Sequence, residues 1–484
     1  MPELFTKTDY KNSLKCGCYL WMAKKKPDLL PSPSASDLSR EVEGNKVDVL
    51  AKQLYPGGTE IKTFNEKVWQ ETEMLIQAKT KTLFQPTIVT PNGLTCRADI
   101  LTYDADAKAY EIREVKSSTS VRPKDIEDVA FQRICFEEAG IPVSRTFLIH
   151  INSDYVKHGA IDPEQFFITV DISKEVDEAI DETKAAIAHA RKYLEYDEWP
   201  DRHIIESCPK PKSCEYLKYY LHGVSDHQAL TRDLSPKFVI ELLKRDIVAL
   251  ESLDKKFVTG LGYAPEEKFI DHAAIRSELK ELEYPLYFLD YETYSSPIPP
   301  FDGTRPWQAI PFQYSLYIQK TQNATLEHRE FIATENKNPI TDLAKQLEED
   351  IGDRGSVVVW NAAFEATRNK EIRKDHPEYA AAMESINARM FDLMVIFRKK
   401  LYTQHEFYRS YSIKNILPVL VPELSYKELA IQEGGTASIS WPILIDGETP
   451  APQRDELKKN MLLYCGLDTL AMVRILENLQ KEIG

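Results

Sequence analysis

Two carboxylates lie two residues apart in a strongly apolar stretch of the chain, LYFLDYETYSS. Side chains alternate between the two faces of a β-strand, so Asp290 and Glu292 point the same way if this stretch is a strand. Two like charges on one buried face are costly unless a cation lies between them. The residue types and their spacing therefore predict a site for a bound cation.

Further candidate ligands for that cation lie downstream. The strand-like run SVVVWN ends at Asn361, and Glu365 follows where a helix is expected to begin. In NMLLYCGLDTLAM, Tyr464 and Asp468 are spaced i, i+4, which places them on one face of a helix. Acids from these elements can hold two divalent metal ions about 4 Å apart, as in two-metal phosphoryl hydrolysis. A tyrosine hydroxyl one turn from the last acid can hold the attacking water.

A second set of charged residues lies in the run RADILTYDADAKAYEIREVKSS. Strand periodicity puts Glu114 and Lys116 on one face, and Asp99 lies close to Glu114 if the two strands pair across the turn DADAK. Two carboxylates can hold a hard divalent cation, while the ammonium orients a water molecule or stabilises phosphoryl charge. An E-x-K pair also occurs in ordinary surface hairpins, so the motif alone leaves that interpretation open.

The N-terminal motif resembles the active site of the PD-(D/E)XK nucleases of the RecB type. The matching features are the order of Asp99, Glu114 and Lys116 and a following helix with Gln132 and Phe136 on one face. The resemblance implies that the two acids are catalytic metal ligands, that Lys116 is catalytic and that Gln132 contacts the substrate. Phe136 stands where the Q-x-x-x-Y helix of the family has Tyr, so the hydroxyl of that position is missing.

In the same family an upstream helix supplies a further acid or His to the site. The run EVEGNKVDVLA matches that helix, and Asp48 falls where the family often has His. The resemblance implies Asp48 as the fourth ligand of a bound Mg²⁺ or Mn²⁺, with Glu41 and Glu43 as alternatives.

The C-terminal motifs resemble the RNase H-like DEDD exonucleases of the Tyr subtype, which are 3′-5′ exonucleases of DNA or RNA. The matching features are D-x-E on a first strand, N-x-x-F followed by an acid, and Y-x-x-x-D on a late helix. The resemblance implies a two-metal site for Mg²⁺ or Mn²⁺ with Tyr464 as the water-orienting residue. The implied metal ligands and catalytic acids are Asp290, Glu292, Glu365 and Asp468.

The third of these ligands departs from the family pattern, which has Asp rather than Glu after Phe. Asp392 in RMFDLMVIF is the rival, but its spacing suits a helix that flanks the core, and we therefore prefer Glu365. Asn361 and Lys414 are expected to contact the substrate. The segment SYSIKNILP, which contains Lys414, either contacts a phosphate or is an ordinary helix entry with Ser412 as N-cap.

Four cysteines bracket the N-terminal half of the chain, in LKCGCYLWM and CPKPKSCEYLKYY. This placement resembles RecB-type nucleases that carry an iron–sulfur staple, although the third downstream position, near Tyr220, is not Cys. The resemblance implies a [4Fe–4S] cluster, while a zinc site and a metal-free remnant stay open as alternatives. The candidate ligands are Cys16, Cys18, Cys208 and Cys214. Cys96, Cys135 and Cys465 sit in apolar patterns and are expected to be core residues.

Periodicity predicts an α/β fold in two blocks, from the N-terminus to residue 225 and from 281 to 484, joined by a helical connector over residues 226–280. The resemblances stated above imply that the first block is a PD-(D/E)XK, restriction-endonuclease-like domain and that the second is an RNase H-like domain. The combination resembles a family of bacterial proteins with this two-domain organisation, over nearly the whole chain.

Length and composition limit the class of protein. A chain of 484 residues with 43% hydrophobic and 28% charged residues is typical of a globular protein of two or three domains. No apolar run suits a membrane span or a signal peptide, so we expect a cytoplasmic protein without a membrane partner. The formal charge of −15 argues against a nonspecific nucleic-acid coat protein but not against an enzyme with its acids around metal ions.

The sequence therefore predicts a metal-dependent nuclease acting on DNA or RNA, with a 3′-5′ exonuclease in the C-terminal half and a second nuclease site in the N-terminal half. In the alternative, one module does not cleave and serves to bind nucleic acid or a protein partner.

Overall fold

The computed structural model describes residues 4–29, 32–61, 68–197, 268–407 and 410–484. The described residues have a mixed α/β architecture and belong to two compact units. The N-terminal unit comprises residues 4–197 with the segment 296–307, and the C-terminal unit comprises 268–295 and 308–484. Cys208, Cys214 and most of the predicted connector lie outside the described residues.

The N-terminal unit is built on a six-stranded mixed sheet with the order β2-β3-β6-β7-β8-β9 and a three-stranded sheet with the order β1-β5-β4. Strand β6 runs antiparallel to β7, and β7 runs parallel to β8. Its elements are β1 (Phe5–Thr6), α1 (Lys7–Lys15), α2 (Gly17–Lys25), α3 (Ala35–Ala51), β2 (Thr59–Glu60), α4 (Val68–Gln77), β3 (Thr82–Phe84), β4 (Thr87–Val89), β5 (Leu94–Arg97), β6 (Ile100–Asp104), β7 (Ala109–Lys116), α5 (Pro123–Glu138), β8 (Val143–Ile151), α6 (Pro163–Phe166), β9 (Phe167–Asp171) and α7 (Ser173–Leu194).

Two strand-like runs of the sequence are each split into two strands. In TLFQPTIVT, Gln85 has a φ of 57°, a left-handed conformation that ends β3, and the next residue is a proline without an amide hydrogen. In TCRADILTY, the break falls at Ala98 and Asp99, so β5 and β6 belong to different sheets. Asp99 is therefore a connecting residue just before β6 rather than a residue inside a strand.

Helices α1 and α5 bring charged residues to the end of β7. Helix α1 starts with a capping box, in which the Thr6 hydroxyl accepts from the Asp9 amide at 3.0 Å and the Asp9 carboxylate accepts from the Thr6 amide at 2.8 Å. Strand β1 pairs in parallel with β5 and fixes the start of this helix. Helix α5 buries Val129, Phe131 and Ile134 in the core of the unit.

The C-terminal unit is built on a five-stranded sheet with the order β13-β12-β11-β14-β15. Strands β11, β12 and β13 are antiparallel neighbours, whereas β14 is parallel to both β11 and β15. Its elements are β10 (Phe269–Ile270), α8 (His272–Leu279), β11 (Leu286–Tyr294), β12 (Ile310–Gln319), β13 (Glu327–Ile332), α9 (Ile340–Asp350), β14 (Ser356–Val359), α10 (Ala362–Asp375), α11 (Ala380–Ala388), β15 (Met390–Asp392), α12 (Val395–Arg398), β16 (Tyr402–Thr403), α13 (Ile413–Leu420), α14 (Gly434–Ile445) and α15 (Ala451–Ile483).

Helix α15 packs against the middle of this sheet. Leu286 and Phe288 of β11 share a core cluster with apolar residues of the second half of the helix. The Gln313 amide of β12 donates to the carbonyl oxygen of Met461 at 2.9 Å, and the hydroxyls of Ser315 and Thr469 lie 2.6 Å apart. These contacts fix the register of α15 on the sheet. Among the described helices, none combines the length and the hydrophobicity needed to cross a membrane.

Candidate active sites

Strand β11 and helix α15 bring three acids together in the C-terminal unit. Asp290 and Glu292 continue the face of β11 that carries Leu286 and Phe288, because side chains of one parity share a face. The ligand oxygens of Asp290, Glu292 and Asp468 all lie within 4.8 Å of one another. We call these three residues the C-terminal cluster.

The C-terminal cluster lines a cavity of about 200 Å³. The structure places most of the residues that the sequence predicted for this site around the same cavity. Besides the cluster, its walls include Asn361, Glu365, Lys414 and Tyr464. Glu365 faces this cavity without belonging to the group of three convergent acids, and the rival residue Asp392 does not line it.

Glu365 is a buried acid with an unsatisfied oxygen. It lies in the first turn of α10 and is 4% exposed, and its Oε2 atom has no hydrogen-bond partner. Burial raises the pKa of Glu365 to about 7, and Asp392 adds to this effect. Asp392 itself is satisfied, because it accepts from the Met394 amide at 3.1 Å and pairs with Arg398 at 3.3 Å. Of the two acids, Glu365 is the one with an oxygen left to bind a ligand.

Burial and neighbouring acids raise the pKa values of Asp290 and Glu292 in the C-terminal cluster. Loss of solvation is the largest cause for Asp290, followed by repulsion from Asp468 and Glu292. Burial also raises the pKa of Glu292, with Asp468 adding to the effect and Lys414 opposing it. Crowded carboxylate oxygens with one unsatisfied neighbour suit a hard divalent cation such as Mg²⁺ or Mn²⁺, which takes oxygen ligands and removes the repulsion. The residues present therefore fit the predicted metal ions.

Two tyrosines lie against Asp468. Tyr464, one turn earlier on α15, opposes the rise that burial causes in the pKa of the Asp468 carboxyl. The Tyr426 hydroxyl donates to Oδ1 of Asp468. The ring centres of Tyr426 and Tyr464 lie 6.2 Å apart. Burial and the nearby Asp468 raise the pKa of both phenols, so both carry their proton. Sequence reasoning missed Tyr426, which lies 42 residues from Asp468 in a segment without helical or strand periodicity.

Lys414 is the cation that faces these tyrosines. Its ammonium lies 5.3 Å from the centre of the Tyr464 ring and 5.6 Å from that of Tyr426. It donates to the carbonyl oxygen of Gln432 at 2.8 Å rather than to a carboxylate. Ser412 occupies the N-cap position of α13, but its side chain makes no capping hydrogen bond. Lys414 thus lines the cavity without an ion pair to its acids among the described contacts.

The start of helix α14 also lies against the C-terminal cluster. A Cβ atom built on Gly434 would lie 3.4 Å from Oε2 of Glu292 and 3.8 Å from the Tyr464 hydroxyl. On the other side, the Cys465 sulfur lies 3.8 Å from Oδ2 of Asp290. The cluster is therefore enclosed by β11, α14 and α15.

In the N-terminal unit, the predicted residues Glu114, Lys116 and Gln132 are in direct contact. The Lys116 ammonium donates to Oε1 of Glu114 at 2.6 Å, and the Gln132 amide donates to Oε2 at 2.6 Å. Oδ2 of Asp99 accepts from the backbone amide of Val115 at 2.8 Å. Because β6 and β7 pair antiparallel with Ile100 opposite Arg113, Asp99 comes next to Glu114.

Sequence reasoning missed two further members of this site, Lys7 and Asp128. The Lys7 ammonium, from the first residue of α1, donates to Oε1 of Glu114 at 2.9 Å. Asp128 is 2% exposed and accepts from Lys116 at 2.7 Å. Its i, i+4 spacing from Gln132 was the signal that could have found it. Lys7 lies 107 residues from Glu114, and no local pattern connects the two. Asp99, Glu114, Asp128, Lys7 and Lys116 are called the N-terminal cluster below.

The charges of the N-terminal cluster compensate one another. Burial opposes ionisation of Glu114, but Lys7 and Lys116 together hold the pKa of its carboxyl below its ordinary value. Burial likewise works against the two ammoniums, yet Glu114 and Asp128 raise the pKa of both lysines. Burial and the neighbouring Glu114 raise the pKa of Asp99. Glu114 is therefore an ionised acid between two charged lysines.

The predicted fourth ligand, Asp48, lies beside Asp99. The Gln85 amide donates to Oδ2 of Asp48 at 3.1 Å and reaches Oδ1 of Asp99 at 3.4 Å. Oδ1 of Asp48 is buried without a hydrogen-bond partner, and burial raises the pKa of this acid. Of the alternatives, Glu41 is exposed and Glu43 pairs with Lys46 at 2.6 Å. Phe136, at the position of the family's Tyr, is fully buried in the core.

The cysteine prediction concerns residues inside and outside the described part of the chain. Cys16 is the N-cap of α2, where its sulfur accepts from the Tyr19 amide at 3.4 Å, and Cys18 is buried in the same helix. Their predicted partners, Cys208 and Cys214, lie outside the described residues, so the iron–sulfur cluster stays a prediction. The remaining described cysteines, Cys96, Cys135 and Cys465, are buried as expected.

Comparison with known proteins gives one family match. A family model described as "Domain of unknown function (DUF2779)" matches residues 287–412. This range covers less than half of the chain and includes Asp290, Glu292 and Glu365, but neither Tyr426 nor Asp468. No curated protein matches the chain.

Proposed function

We propose that the protein is a metal-dependent nuclease that hydrolyses phosphodiester bonds of DNA or RNA, with the C-terminal unit acting as a 3′-5′ exonuclease. One observation carries this proposal: the ligand oxygens of Asp290, Glu292 and Asp468 lie within 4.8 Å of one another. Buried acids without a compensating cation are expected at functional sites rather than in a structural core.

The architecture supports the finer assignment of each unit. In the C-terminal unit, Asp290 and Glu292 lie on the central strand of a five-stranded sheet. This strand has one antiparallel and one parallel neighbour, an arrangement that supports the proposed RNase H-like domain. In the N-terminal unit, Asp99 and the E-x-K strand β7 are joined by a hairpin and covered by a helix with Gln132, as proposed for a PD-(D/E)XK domain.

Each residue of the C-terminal site has a role in this proposal. Bound Mg²⁺ or Mn²⁺ would supply water activation and stabilisation of the leaving oxygen. Asp290, Glu292 and Asp468 would hold the metal, with Glu365 supplying an unsatisfied oxygen from the wall of the same cavity. The Tyr464 hydroxyl is placed to orient the attacking water. Lys414 would meet a substrate phosphate, because no carboxylate is bonded directly to its ammonium among the described residues.

The N-terminal unit is proposed as a second nuclease site. The alternative, in which this module binds nucleic acid without cleaving it, is favoured by one observation. Glu114 is already paired with Lys7 and Lys116, so its charge is balanced without a metal ion. Which of the two sites cleaves is therefore part of the experimental test.

The test is degradation of end-labelled single-stranded and double-stranded DNA and RNA in the presence of Mg²⁺ or Mn²⁺. Asp290→Asn should lower the rate of 3′-end degradation by about a thousandfold, since loss of a metal ligand removes several kcal/mol of transition-state stabilisation. Asp392→Asn is the matched control, because Asp392 is a nearby acid that does not line the cavity.

Equal activity of Asp290→Asn and the unaltered protein would refute the assignment of the C-terminal site. Glu114→Gln, measured in parallel on the same substrates, separates the two units. If it removes an endonucleolytic or 5′-end product and leaves 3′-end degradation intact, the N-terminal unit cleaves as well. If it lowers only the affinity for nucleic acid, the N-terminal unit is a binding module.

A further inference from the structure

Three lysine side chains surround the acids of the proposed N-terminal metal site. Three lysines reach two acids within salt-bridge distance: Lys116 contacts Glu114 and Asp128, Lys7 contacts the same two acids, and Lys11 lies 3.6 Å from Asp128. Lys7 and Lys11 both belong to α1, so one helix brings two ammoniums to the acids of β7 and α5.

The oxygens that would bind a metal ion are already engaged. Oε1 of Glu114 accepts from two ammoniums, at 2.6 and 2.9 Å, and Oε2 accepts from the Gln132 amide at 2.6 Å. Oδ2 of Asp99 accepts from the Val115 amide. Within the described ranges, the acids that converge closely enough to hold a metal ion are those of the C-terminal cluster. A divalent cation therefore does not fit beside Glu114 while both ammoniums remain.

We propose that the Lys7 ammonium is a built-in counter-cation of the N-terminal cluster, and that a divalent metal ion binds Asp99 and Glu114 only by displacing it. Removal of a buried charge partner is costly unless another cation replaces it, so the ammonium and the metal ion exclude each other. The inference concerns occupancy of the N-terminal site and holds whether or not that site cleaves nucleic acid.

Lys7 rather than Lys116 is the cation that leaves. Lys116 has two short contacts, at 2.6 Å to Glu114 and 2.7 Å to Asp128, and lies on a central strand of the sheet. Lys7 has one short contact, at 2.9 Å, and its second carboxylate is 3.8 Å away. Its flexible side chain can swing away from Glu114 without movement of the sheet.

The experiment measures Mn²⁺ binding by the full chain, with isothermal titration calorimetry, in an Asp290→Asn/Asp468→Asn background that removes binding at the C-terminal cluster. Adding Lys7→Met should increase the Mn²⁺ affinity by about tenfold or more, because the competing ammonium is gone. Lys7→Arg, which keeps a cation, should leave the affinity low. Lys11→Met is the matched control on the same helix, since Lys11 does not reach Glu114.

A further Glu114→Gln substitution in the Lys7→Met protein should abolish the gained binding and so locate it. The proposal is overturned if Lys7→Met binds Mn²⁺ no more tightly than its background, or if Lys11→Met raises the affinity as much. If Lys7→Met does not fold, Lys7→Gln takes its place. A second readout is acetylation of Lys7 in the unaltered chain, followed by mass spectrometry. Saturating Mn²⁺ should speed it, and an unchanged rate in a protein that has bound Mn²⁺ at Glu114 refutes displacement.

Discussion

The N-terminal and C-terminal clusters share the spacing of two residues between charged side chains on one strand, yet they balance charge in opposite ways. Each has charged side chains two residues apart on one strand and further groups from helices. In the N-terminal cluster, Lys7 and Lys116 lie within 3 Å of Glu114 and hold it ionised. In the C-terminal cluster, the acids face one another and Lys414 is bonded to a backbone carbonyl instead. A sequence motif thus indicates which residue types could bind a metal ion. Residues from distant parts of the chain decide whether the buried charges are already compensated without one.

The largest expected effect is that two similar substitutions change the free energy of unfolding in opposite directions. Glu114→Gln removes the buried carboxylate between Lys7 and Lys116 and leaves Asp128 as their remaining partner in the cluster. The metal-free protein should therefore lose about 3 kcal/mol of unfolding free energy. Asp290→Asn relieves repulsion among three acids and should leave stability unchanged or raise it by up to about 1 kcal/mol. Chemical denaturation of both variants in EDTA, with tryptophan fluorescence, checks the difference.

Adding Lys7→Met to Glu114→Gln should recover part of the lost stability, because Lys7 is the cation left with only a long contact, at 3.8 Å to Asp128. Equal destabilisation by Glu114→Gln and Asp290→Asn would show that the two clusters do not differ in charge balance.

A second prediction tests whether Glu365 or Asp392 is the metal ligand in the C-terminal unit. Glu365→Gln removes the acid with an unsatisfied oxygen and should lower the rate of metal-dependent degradation by about a hundredfold. Asp392→Asn, whose acid is bonded to Arg398 and a backbone amide, should change the rate little. The reverse order of effects in a single-turnover assay would make Asp392 the ligand.

Binding of Mn²⁺ should raise the free energy of unfolding of the C-terminal unit more than that of the N-terminal unit. At Mn²⁺ concentrations about thirtyfold above the dissociation constant, ligand linkage adds about 2 kcal/mol to the stability of the unit that binds. We expect this gain in a thermal-shift assay of the unaltered protein and of Glu114→Gln, and its loss in Asp468→Asn. A gain that disappears with Glu114→Gln instead would assign the tighter metal site to the N-terminal unit.

The smallest expected effect concerns a residue that positions a ligand. Tyr426→Phe removes the hydroxyl that donates to Asp468 and should weaken metal binding by about tenfold, as is common for groups that orient a ligand. Tyr464 is proposed to orient the attacking water, so Tyr464→Phe should lower the turnover rate and change metal affinity less. Calorimetry with Mn²⁺ and single-turnover kinetics separate the two roles, and identical profiles would contradict them.

Local periodicity predicted the parts of each site that lie on one element. The period of two placed Asp290 with Glu292, and the helical i, i+4 spacing placed Tyr464 with Asp468. It could not supply Tyr426 or Lys7, because each reaches its acid only through the packing of remote segments. Contacts of this kind depend on tertiary structure, which no local pattern encodes.

The same limit applies to the fold. Strand periodicity predicted β7 and β11, whose bounds follow the corresponding runs of the sequence. The break at Gln85 was not predicted, because its left-handed conformation is unusual for a residue with a side chain. A run that reads as one strand therefore became two strands in different sheets.

The C-terminal cluster is completed late in synthesis, because β11 and α15 are far apart in the chain. Helix α15 supplies Cys465 next to Asp290 across 175 residues of chain, and Asp468 follows one turn later. At common ribosome speeds these residues are made roughly ten to thirty-five seconds after β11. During that interval the acids of β11 lack Asp468, and the C-terminal cluster is incomplete. The C-terminal cluster can therefore bind a metal ion with all three of its acids only after α15 has been made and has packed against β11.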